Sequence, residues 1–448
     1  MAKIKKTTSR KLAILPEEKQ PFPIPQNWFW TDIDSINVYS GTQIDPRQQP
    51  DTTFELYSVP SSADNYPEII TGSEIGSAKQ SVIKNDVLLC KINPRINRVW
   101  IISQHTDHEL LASSEWIIIR NNTINPIYLM YCLRTQYFRK FMLSNVSGVG
   151  GSLMRAQPKY IKNYPIPIAP VAEQQRIVDR IESLFAKLDE AKEKSQAVVD
   201  GFETRKASIL HKAFTGELTE QWREENLISA RSWKTTTLSK IVSGFKYGTS
   251  EKSDYNNHGM PVFRIPNITD DGLIFSDMKC LPHWDISEEN QIHENDILII
   301  RSNGSRDLVG KSVLVPKLNQ AHAYASFLIR IKPSDDAVPE FLVKYLNSSD
   351  ARFQMFSSAK SSAGIHNINS KELGAVLINL PTIPEQKEIV RRVNSILSKE
   401  QQAKETAEAT LDQIEVMKKS ILARAFRGKL GTNDPAEESA VELLRSIM

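Results

Sequence analysis

Several short segments carry residue types and spacings that could support catalysis or ligand binding. Asn125, Pro126 and Tyr128 form an Asn-Pro-x-Tyr arrangement, whose amide and ring can hold an extruded base during amino-group methylation. Residues 310–312 (Gly-Lys-Ser) imitate the end of a phosphate-binding loop, and residues 105–109 place two histidines three positions apart, as metal ligands can be. Each segment needs companion residues before it predicts a site.

In each case the structural interpretation is favoured. The counterpart of residues 125–128 in the other half of the chain is a plain helix start, and residues 105–109 lack a third ligand that the sequence identifies. Gly304 lies one residue too far from residues 310–312, and a strand-like run follows them where a phosphate loop requires a helix. Ser357 and Lys360 have Ser-x-x-Lys spacing without the other motifs of acyl-transfer enzymes, and glycine-rich residues 148–151 lack a strand-to-helix unit. We therefore expect no catalytic residue, no cofactor-binding site and no metal site in this chain.

The bulk composition narrows the class of protein. The chain has 448 residues, of which 40% are hydrophobic and 24% charged, a balance typical of globular proteins in a chain too long for one core. Cys90, Cys132 and Cys280 lie far apart without a Cys-x-x-Cys pair, which favours a reducing compartment over a disulfide framework. The basic N-terminus has no apolar run behind it, and no later run approaches a membrane span. We expect a cytoplasmic protein of two or three domains.

The elements that would position functional residues repeat once along the chain. Residues 173–218 align with residues 385–430 at a constant offset of 212 without a gap, and about half of the paired positions are identical. Both copies show the alternating spacing of a coiled-coil seam. The predicted seam consists of Ile177, Ile181, Leu184, Leu188, Val198, Phe202, Ile209, Ile389, Val393, Ile396, Ile414, Met417 and Ile421.

Each copy therefore predicts one long helix of roughly 60 Å. Pro170 and Pro384 stand before the starts, and Gly216 and Gly428 stand where left-handed residues would end the helices. Since neither copy can bury its seam alone, we expect the two helices to pair antiparallel as a coiled coil. Two ordinary amphipathic helices on a globular body would also fit the mixed seam.

The remaining segments repeat more faintly and predict two similar mixed α/β domains. Trp28 and Trp233 occupy corresponding places, and Asn-Asp-Val-Leu-Leu at residues 85–89 is echoed by Asn-Asp-Ile-Leu-Ile at residues 295–299. The fold class is thus α+β, with two domains separated by the two helices in a pseudo-twofold internal repeat. Strands are expected near residues 114–120, 259–265, 296–301 and 326–332, and single helices near 126–143 and 339–356.

Two pairs of motifs resemble those of the specificity subunits of type I restriction-modification systems, and the resemblance covers nearly the whole chain. One pair opens the long helices, at residues 165–178 (Pro-Ile-Pro-Ile-Ala-Pro-Val-Ala-Glu-Gln-Gln-Arg-Ile-Val) and 380–390 (Leu-Pro-Thr-Ile-Pro-Glu-Gln-Lys-Glu-Ile-Val). The other pair closes them, at residues 208–218 (Ser-Ile-Leu-His-Lys-Ala-Phe-Thr-Gly-Glu-Leu) and 420–430 (Ser-Ile-Leu-Ala-Arg-Ala-Phe-Arg-Gly-Lys-Leu). The resemblance implies that each domain reads one half of a split DNA target, while the helices set the spacing and dock two methyltransferase subunits. Because the two domains match poorly outside their framework, we expect the target to be asymmetric.

The resemblance also implies a division of labour. This chain would bind double-stranded DNA without catalysing a reaction, and the assembled complex would be an adenine methyltransferase and ATP-dependent endonuclease. S-adenosylmethionine, ATP and Mg²⁺ would be bound by the methyltransferase and restriction subunits. The expected parts are a recognition domain at residues 1–168 with a flexible arm at 1–22, a helix at 169–218, a second recognition domain at 219–380, a second helix at 381–432 and a tail at 433–448.

Candidate DNA contacts follow from how the major groove is read. Reading needs side chains that donate or accept in pairs, chiefly Arg to guanine and Asn or Gln to adenine, whereas most cationic contacts go to phosphates. The net charge is only +3, so local clusters matter more than the total. The candidates are Lys91, Asn93, Arg95, Asn97, Arg98, Arg155, Gln157, Arg264, Asn267, Arg301, Asn303, Arg306, Lys360, His366 and Asn367.

Two other classes of function compete with this interpretation. An assembly scaffold would use the helices to hold partners and the domains to bind protein or carbohydrate, and it would lack DNA affinity even with methyltransferase subunits present. A self-contained DNA-modifying enzyme would need a cofactor site, which the motifs above do not provide.

Overall fold

The chain forms two compact units, and each takes one part of both long helices. In the computed structural model, residues 14–147, 154–229, 232–358, 360–362 and 365–442 are described. The first unit comprises Met1–Ser195 and Ala409–Met448, and the second comprises Gln196–Glu408. Both units combine helices with several small sheets, as the sequence predicts. The division into two recognition domains, two helices and a tail at the bounds given above stays a prediction.

The first unit is built around the buried strand β6. Its strands are β1 Phe29–Asp32, β2 Gln43–Ile44, β3 Thr53–Tyr57, β4 Glu68–Thr71, β5 Lys79–Ser81, β6 Val87–Cys90, β7 Val99–Ile101, β8 Glu109–Ala112, β9 Trp116–Ile119, β10 Val146–Ser147, β11 Arg155–Ala156 and β12 Pro165–Ile168. Its helices are α1 Ile33–Ile36, α2 Pro126–Leu133, α3 Gln136–Ser144, α4 Pro158–Ile161 and most of α5 Val171–Asp200. The sheets have the orders β7-β6-β9, β2-β5-β8-β3-β4, β1-β12 and β10-β11.

The second unit repeats this plan around the buried strand β19. Its helices are α6 Phe202–Thr215, α7 Glu220–Glu225, α8 Pro339–Leu346, α9 Ser349–Ser358, α10 Ser370–Gly374 and most of α11 Ile383–Ala425. Its strands are β13 Lys234–Thr237, β14 Val242–Tyr247, β15 Pro261–Phe263, β16 Ile268–Thr269, β17 Gly272–Leu273, β18 Lys279–Cys280, β19 Ile297–Ile300, β20 Ser302–Asn303, β21 Ser312–Leu314, β22 Ala323–Tyr324, β23 Leu328–Pro333, β24 Lys360–Ser362, β25 Ile365–Asn367 and β26 Leu377–Leu380. The sheets have the orders β14-β23-β19-β21, β18-β15-β22, β20-β25-β24, β13-β26 and β16-β17.

Two stretches that the sequence predicts as single helices are helix pairs. The hydroxyl of Thr135 accepts a hydrogen bond from the Phe138 amide at 3.2 Å, which ends α2 and caps α3. Ser348 does the same between α8 and α9, since its hydroxyl accepts from the Ala351 amide at 3.3 Å. Short hydroxyl side chains compete with the helical backbone in this way, so each stretch turns where a sequence period alone continues.

The first long helix is interrupted at Gly201, whereas α11 is continuous. A side chain on residue 201 would begin 2.4 Å from the Arg205 guanidinium. Arg205 uses that space to donate to the Val198 carbonyl at 2.8 Å and to the Glu400 carboxylate at 2.7 Å. The glycine thus leaves room for one guanidinium to donate hydrogen bonds both to the interrupted helix and to α11. Gly216 has φ +89° and ends α6 as the sequence predicts.

Within each unit the two helical parts run antiparallel. In the first unit Asp189 pairs with Lys418 and Lys192 with Glu415, and in the second Arg205 pairs with Glu400. In the predicted seam, Ile177, Ile181, Phe202, Ile389, Val393 and Ile414 are buried, while Leu184, Leu188, Val198, Ile209, Ile396 and Ile421 are half-buried.

Met417 corrects the predicted seam. It is 43% exposed, and the neighbouring Lys418 instead lies over the Phe185 ring, with its ammonium 5.1 Å from the ring centre. An α-helix has 3.6 residues per turn, so the inward position after Ile414 moves to residue 418. A strict heptad count misses this drift.

The repeated glutamines fix the start of each long helix. Gln174 accepts the Asn125 amide at 2.9 Å and donates to the Ala169 carbonyl at 2.9 Å. Gln386 accepts the Val338 amide at 2.7 Å and donates to the Pro381 carbonyl at 2.9 Å. Each buried side chain therefore ties its long helix to the start of the first helix in a helix pair.

Residues 14–22, part of the expected flexible arm, pack on the first unit. The Leu15 amide donates to the Trp30 carbonyl at 2.8 Å, and the Phe22 ring stands edge-on to the Trp30 ring at 4.9 Å. Among the described residues, no helix is long and apolar enough to span a membrane.

Candidate nucleic-acid interface

Most of the candidate DNA contacts converge on one equivalent place in each unit. There the chain leaves the central strand, β6 or β19, and pairs with a strand that returns from a helix pair. We call the first ribbon residues 91–98 with β10 and β11, and the second ribbon residues 301–303 with β24 and β25.

Two backbone hydrogen bonds are equivalent in the two ribbons. In the first, the Lys91 amide donates to the Glu115 carbonyl at 3.0 Å, and the Lys91 carbonyl accepts the Ala156 amide at 2.8 Å. In the second, the Arg301 amide donates to the Phe327 carbonyl at 2.9 Å, and the Arg301 carbonyl accepts the Ile368 amide at 2.9 Å. Lys91 therefore corresponds to Arg301, Glu115 to Phe327 and the Arg155 position to that of Asn367.

The first ribbon carries an exposed ion pair. Arg155 Nη2 lies 3.1 Å from Glu115 Oε1, and this hydrogen-bonded contact raises the pKa of the guanidinium. Exposed pairs of this kind contribute little to stability, so a nucleic acid can replace either partner at small cost. Asn93 has φ +48°, and Arg95 projects into solvent beside it, with Nε 3.4 Å from the Asn93 Oδ1 atom.

Three first-unit candidates are less available. Asn97 donates its amide to the Leu133 carbonyl at 3.0 Å and holds the ribbon against the end of α2, so its role is structural. This corrects the assignment of Asn97 as a base reader. Arg98 is half-buried beside Cys90, and Gln157 is half-buried at the start of α4. Glycine-rich residues 148–151 lie outside the described residues.

The second ribbon brings five candidates together across its strands. Asn303 stands opposite His366, Ser302 opposite Asn367, and Lys360 opposite Asn367. The Arg301 guanidinium lies 4.5 Å from the Tyr247 ring centre, and its Nη2 donates to Asn367 Oδ1 at 3.3 Å. The ring and the amide hold the guanidinium in one orientation, which favours a directional contact over a diffuse charge.

The other second-unit candidates lie away from this ribbon. Arg306 lies 5.0 Å from the Phe356 ring centre, and Arg264 lies 5.7 Å from that of Tyr255. Asn267 is fully buried: its Oδ1 accepts the Arg264 amide at 2.9 Å and its Nδ2 donates to Ser276 at 3.1 Å. Both ends of its buried side-chain amide are bonded to the local turn, which corrects its assignment as a DNA contact.

Sequence reasoning missed Glu115, Phe327 and Tyr247. Phe327 is 57% exposed in the turn between β22 and β23, and Tyr247 is 37% exposed. A signal for the first two was present, because the offset of 212 that relates the long helices also relates Glu115 to Phe327. The repeat therefore extends beyond the long helices into the recognition domains.

The segments that imitate catalytic motifs have structural roles. Asn125 caps α2, and Tyr128 is fully buried with its hydroxyl donating to the Pro167 carbonyl at 2.8 Å, so this pair does not line an open base pocket. Lys311 pairs with Asp270 at 2.8 Å, ahead of a strand. The Ser357 hydroxyl donates to the Phe353 carbonyl at 2.8 Å.

Residues 105–109 are held by a buried carboxylate. Glu55 accepts hydrogen bonds from the Tyr57 hydroxyl at 2.7 Å, the His105 amide at 2.9 Å and the Thr106 amide at 2.8 Å. Burial raises the pKa of Glu55, and these hydrogen bonds more than offset that effect, so its pKa lies below the ordinary value. Among the described residues, no group of three or more His, Cys, Asp or Glu side chains is arranged to hold a metal ion.

Comparisons with known proteins agree with one another. The family model described as "Type I restriction modification DNA specificity domain" matches residues 43–199 and 231–413. The type I restriction enzyme EcoKI specificity subunit of Escherichia coli K12 is 30% identical over 310 residues, which span 66% of this chain and 66% of that protein. The StySPI specificity subunit of Salmonella potsdam is 27% identical over 335 residues, 72% of this chain and 71% of that protein.

A solved structure shares the fold. The crystal structure of the HsdS subunit from Thermoanaerobacter tengcongensis superposes with a TM-score of 0.68 at 20% identity, covering 91% of this chain and 99% of that chain. At this level of identity the likeness concerns the fold alone.

Proposed function

The chain belongs to the family of type I restriction-modification DNA specificity subunits, and from this premise we propose that it gives such an enzyme its DNA sequence preference. The resemblance drawn from the helix-start and helix-end motifs is thereby confirmed. One observation carries the proposal: the two units hold equivalent ribbons on the same backbone hydrogen bonds but with different side chains on them. Such a pair of ribbons can read two half-sites of different sequence.

The side chains on the ribbons suit the major groove. An arginine held against a ring and an amide, as Arg301 is, can donate in parallel to guanine O6 and N7. Amides such as those of Asn303 and Asn367 can pair with adenine. Lys91 and Arg155 stand in the first ribbon where Arg301 and Asn367 stand in the second, and Glu115 stands beside the first ribbon where Phe327 stands beside the second. The two half-sites would therefore differ, and the target would be asymmetric.

We further propose that α5, α6 and α11 act as a coiled-coil spacer with pseudo-twofold symmetry. The antiparallel ion pairs within each unit support this role. Two methyltransferase subunits would dock on the chain, and restriction subunits would join them in the cytoplasm. Those partners would bind S-adenosylmethionine, ATP and Mg²⁺, while this chain would remain non-catalytic and contact double-stranded DNA.

The decisive experiment maps methylated adenine by single-molecule sequencing in cells that co-express this chain with its methyltransferase subunit. We expect a split, asymmetric motif with a fixed gap that appears only when this chain is present. Replacing residues 1–165 with those of another family member should change one half of the motif and leave the other half intact. A single uninterrupted motif, or S-adenosylmethionine binding by the isolated chain, would contradict the proposal.

A second experiment addresses the spacer. Removing seven residues from each long helix shortens both by two turns while preserving the side of the helix that is buried. The gap between half-sites should change and the bases read should not. A changed base preference at an unchanged gap would refute the spacer role.

A further inference from the structure

Phe327 is an exposed aromatic side chain on a rigid turn. Phe327 is 57% exposed, although the next residue, Leu328, is fully buried in the core of the unit. The Leu328 amide closes the turn on the Ala325 carbonyl at 2.9 Å, and the Ser326 amide donates to the Thr249 carbonyl at 2.9 Å. The Phe327 carbonyl itself accepts the Arg301 amide. The ring is therefore presented from a fixed backbone beside the second ribbon.

The same turn exists in the first unit with a different side chain. The Trp116 amide closes it on the Ser113 carbonyl at 3.1 Å, and the Glu115 carbonyl accepts the Lys91 amide. Glu115 is polar and bound to Arg155, so exposing it costs little. At the same place Phe327 exposes a large apolar ring beside the second ribbon, so a ligand group that covers the ring on binding gains free energy from its removal from water.

The polar surroundings of Phe327 identify the chemistry of what covers it. Arg301, Asn303, His366 and Asn367 form the adjacent second ribbon, whose hydrogen-bonding groups suit base edges. The C5-methyl of thymine is the one bulky apolar group on the major-groove edges of the base pairs, since cytosine presents only a C5–H at that position. An aromatic ring among base-reading side chains is therefore matched by a thymine methyl.

We propose that Phe327 packs against the C5-methyl group of a thymine in the second half-site and selects for that base. This inference rests on the proposed function, because it concerns the same second ribbon. It also explains why the two equivalent turns differ. The first unit holds the Glu115 carboxylate at this place, which can accept from an amino group but gains nothing from a methyl group.

The test replaces thymine with deoxyuridine, which pairs identically and lacks only the methyl group. The protein is assembled with its methyltransferase subunits, and binding is measured to duplexes in which each thymine of the second half-site is replaced in turn. One replacement should weaken binding about fourfold, the equivalent of about 0.8 kcal/mol for one buried methyl group. With Phe327→Ala the same replacement should have no effect.

A matched control is Phe353→Ala. Phe353 is 73% exposed on α9 of the same unit, so its removal also deletes a surface ring, and the complex should still distinguish thymine from deoxyuridine. If the wild-type complex binds all DNA sequences equally, the proposed function itself is overturned. If the wild-type complex keeps its sequence preference, three results would overturn the role of Phe327 alone. These are a second half-site without thymine, a half-site in which no replacement by deoxyuridine weakens binding, and a Phe327→Ala complex that still distinguishes thymine from deoxyuridine.

Discussion

Trp28 donates its indole N–H to the buried carboxylate of Glu173 at 2.6 Å, and this contact joins the start of the first unit to the start of its long helix. The second unit repeats it, since the Trp233 indole donates to Glu385 at 2.9 Å. The two carboxylates differ in their other hydrogen-bond donors. Arg223 pairs with Glu385 at 2.6 Å, whereas Glu173 accepts an amide hydrogen bond from Asn433 at 2.8 Å. A neutral amide thus takes the place of a cation, which makes Glu173 depend more on its remaining donors.

Trp28→Phe should therefore destabilise the first unit more than an equal change elsewhere in its core. The variant removes one donor from a buried carboxylate, at a cost of about 2 kcal/mol beyond the lost ring volume. Hydrogen-exchange protection of β1 and β12 reports the effect. Trp30→Phe is the matched control, because Trp30 is fully buried and its indole N–H has no hydrogen-bond partner among the described residues. Equal effects of both variants would show that only volume matters.

Removing residues 432–448 should destabilise the first unit and spare the second. The tail supplies Asn433 to Glu173, a Glu437 carboxylate 2.7 Å from Arg176, and Ala440 to the hydrophobic core. Losing these contacts should cost on the order of 3 kcal/mol. Limited proteolysis with mass spectrometry locates the loss. Removing only residues 443–448 leaves all three contacts in place and is the matched truncation control.

The sequence predicts the long helices well because their signal is periodic and occurs twice. It predicts their details less well. The interruption at Gly201 depends on the Arg205 guanidinium, which occupies the space that a side chain on residue 201 would need. Lys418 replaces Met417 in the seam because an α-helix drifts relative to a strict seven-residue repeat. Such features depend on three-dimensional neighbours that a local pattern does not contain.

The candidate interface was predictable in composition but not in arrangement. Arg301, Asn303 and Asn367 come together through pairing of β20 with β25, a contact between segments far apart in sequence. Asn267 has the same chemistry as Asn303, and the Oδ1 atom of each accepts a local backbone amide, but Asn267 is fully buried and its Nδ2 also donates to Ser276. Residue type alone does not distinguish a buried amide from an available one.

Glu388 should make the stability of the second unit depend on pH in the acidic range. Hydrogen bonds from Arg391 and then Arg392 lower the pKa of Glu388 from 4.5 to about 2. A carboxyl group whose pKa is lower in the folded state stabilises the fold above pH 4.5, and this contribution is lost as the pH falls towards 2. The difference in urea stability between the wild type and Glu388→Gln should therefore be largest at pH 7, smaller at pH 3 and lost only below about pH 2. A constant difference at both pH values would contradict this linkage.

Arg301→Lys should relax base preference in the second half-site without changing the charge of the protein. Lysine keeps the positive charge but loses the planar fork that the Tyr247 ring and Asn367 orient, so a bidentate contact to guanine is no longer possible. Binding of the assembled complex to its target should weaken about 10- to 100-fold, with an unchanged slope against salt concentration. Arg391→Lys, the same change on α11, should leave the preference intact. A uniform loss across all sequences would mean that Arg301 contacts a phosphate and not a base, because phosphate contacts carry no sequence information.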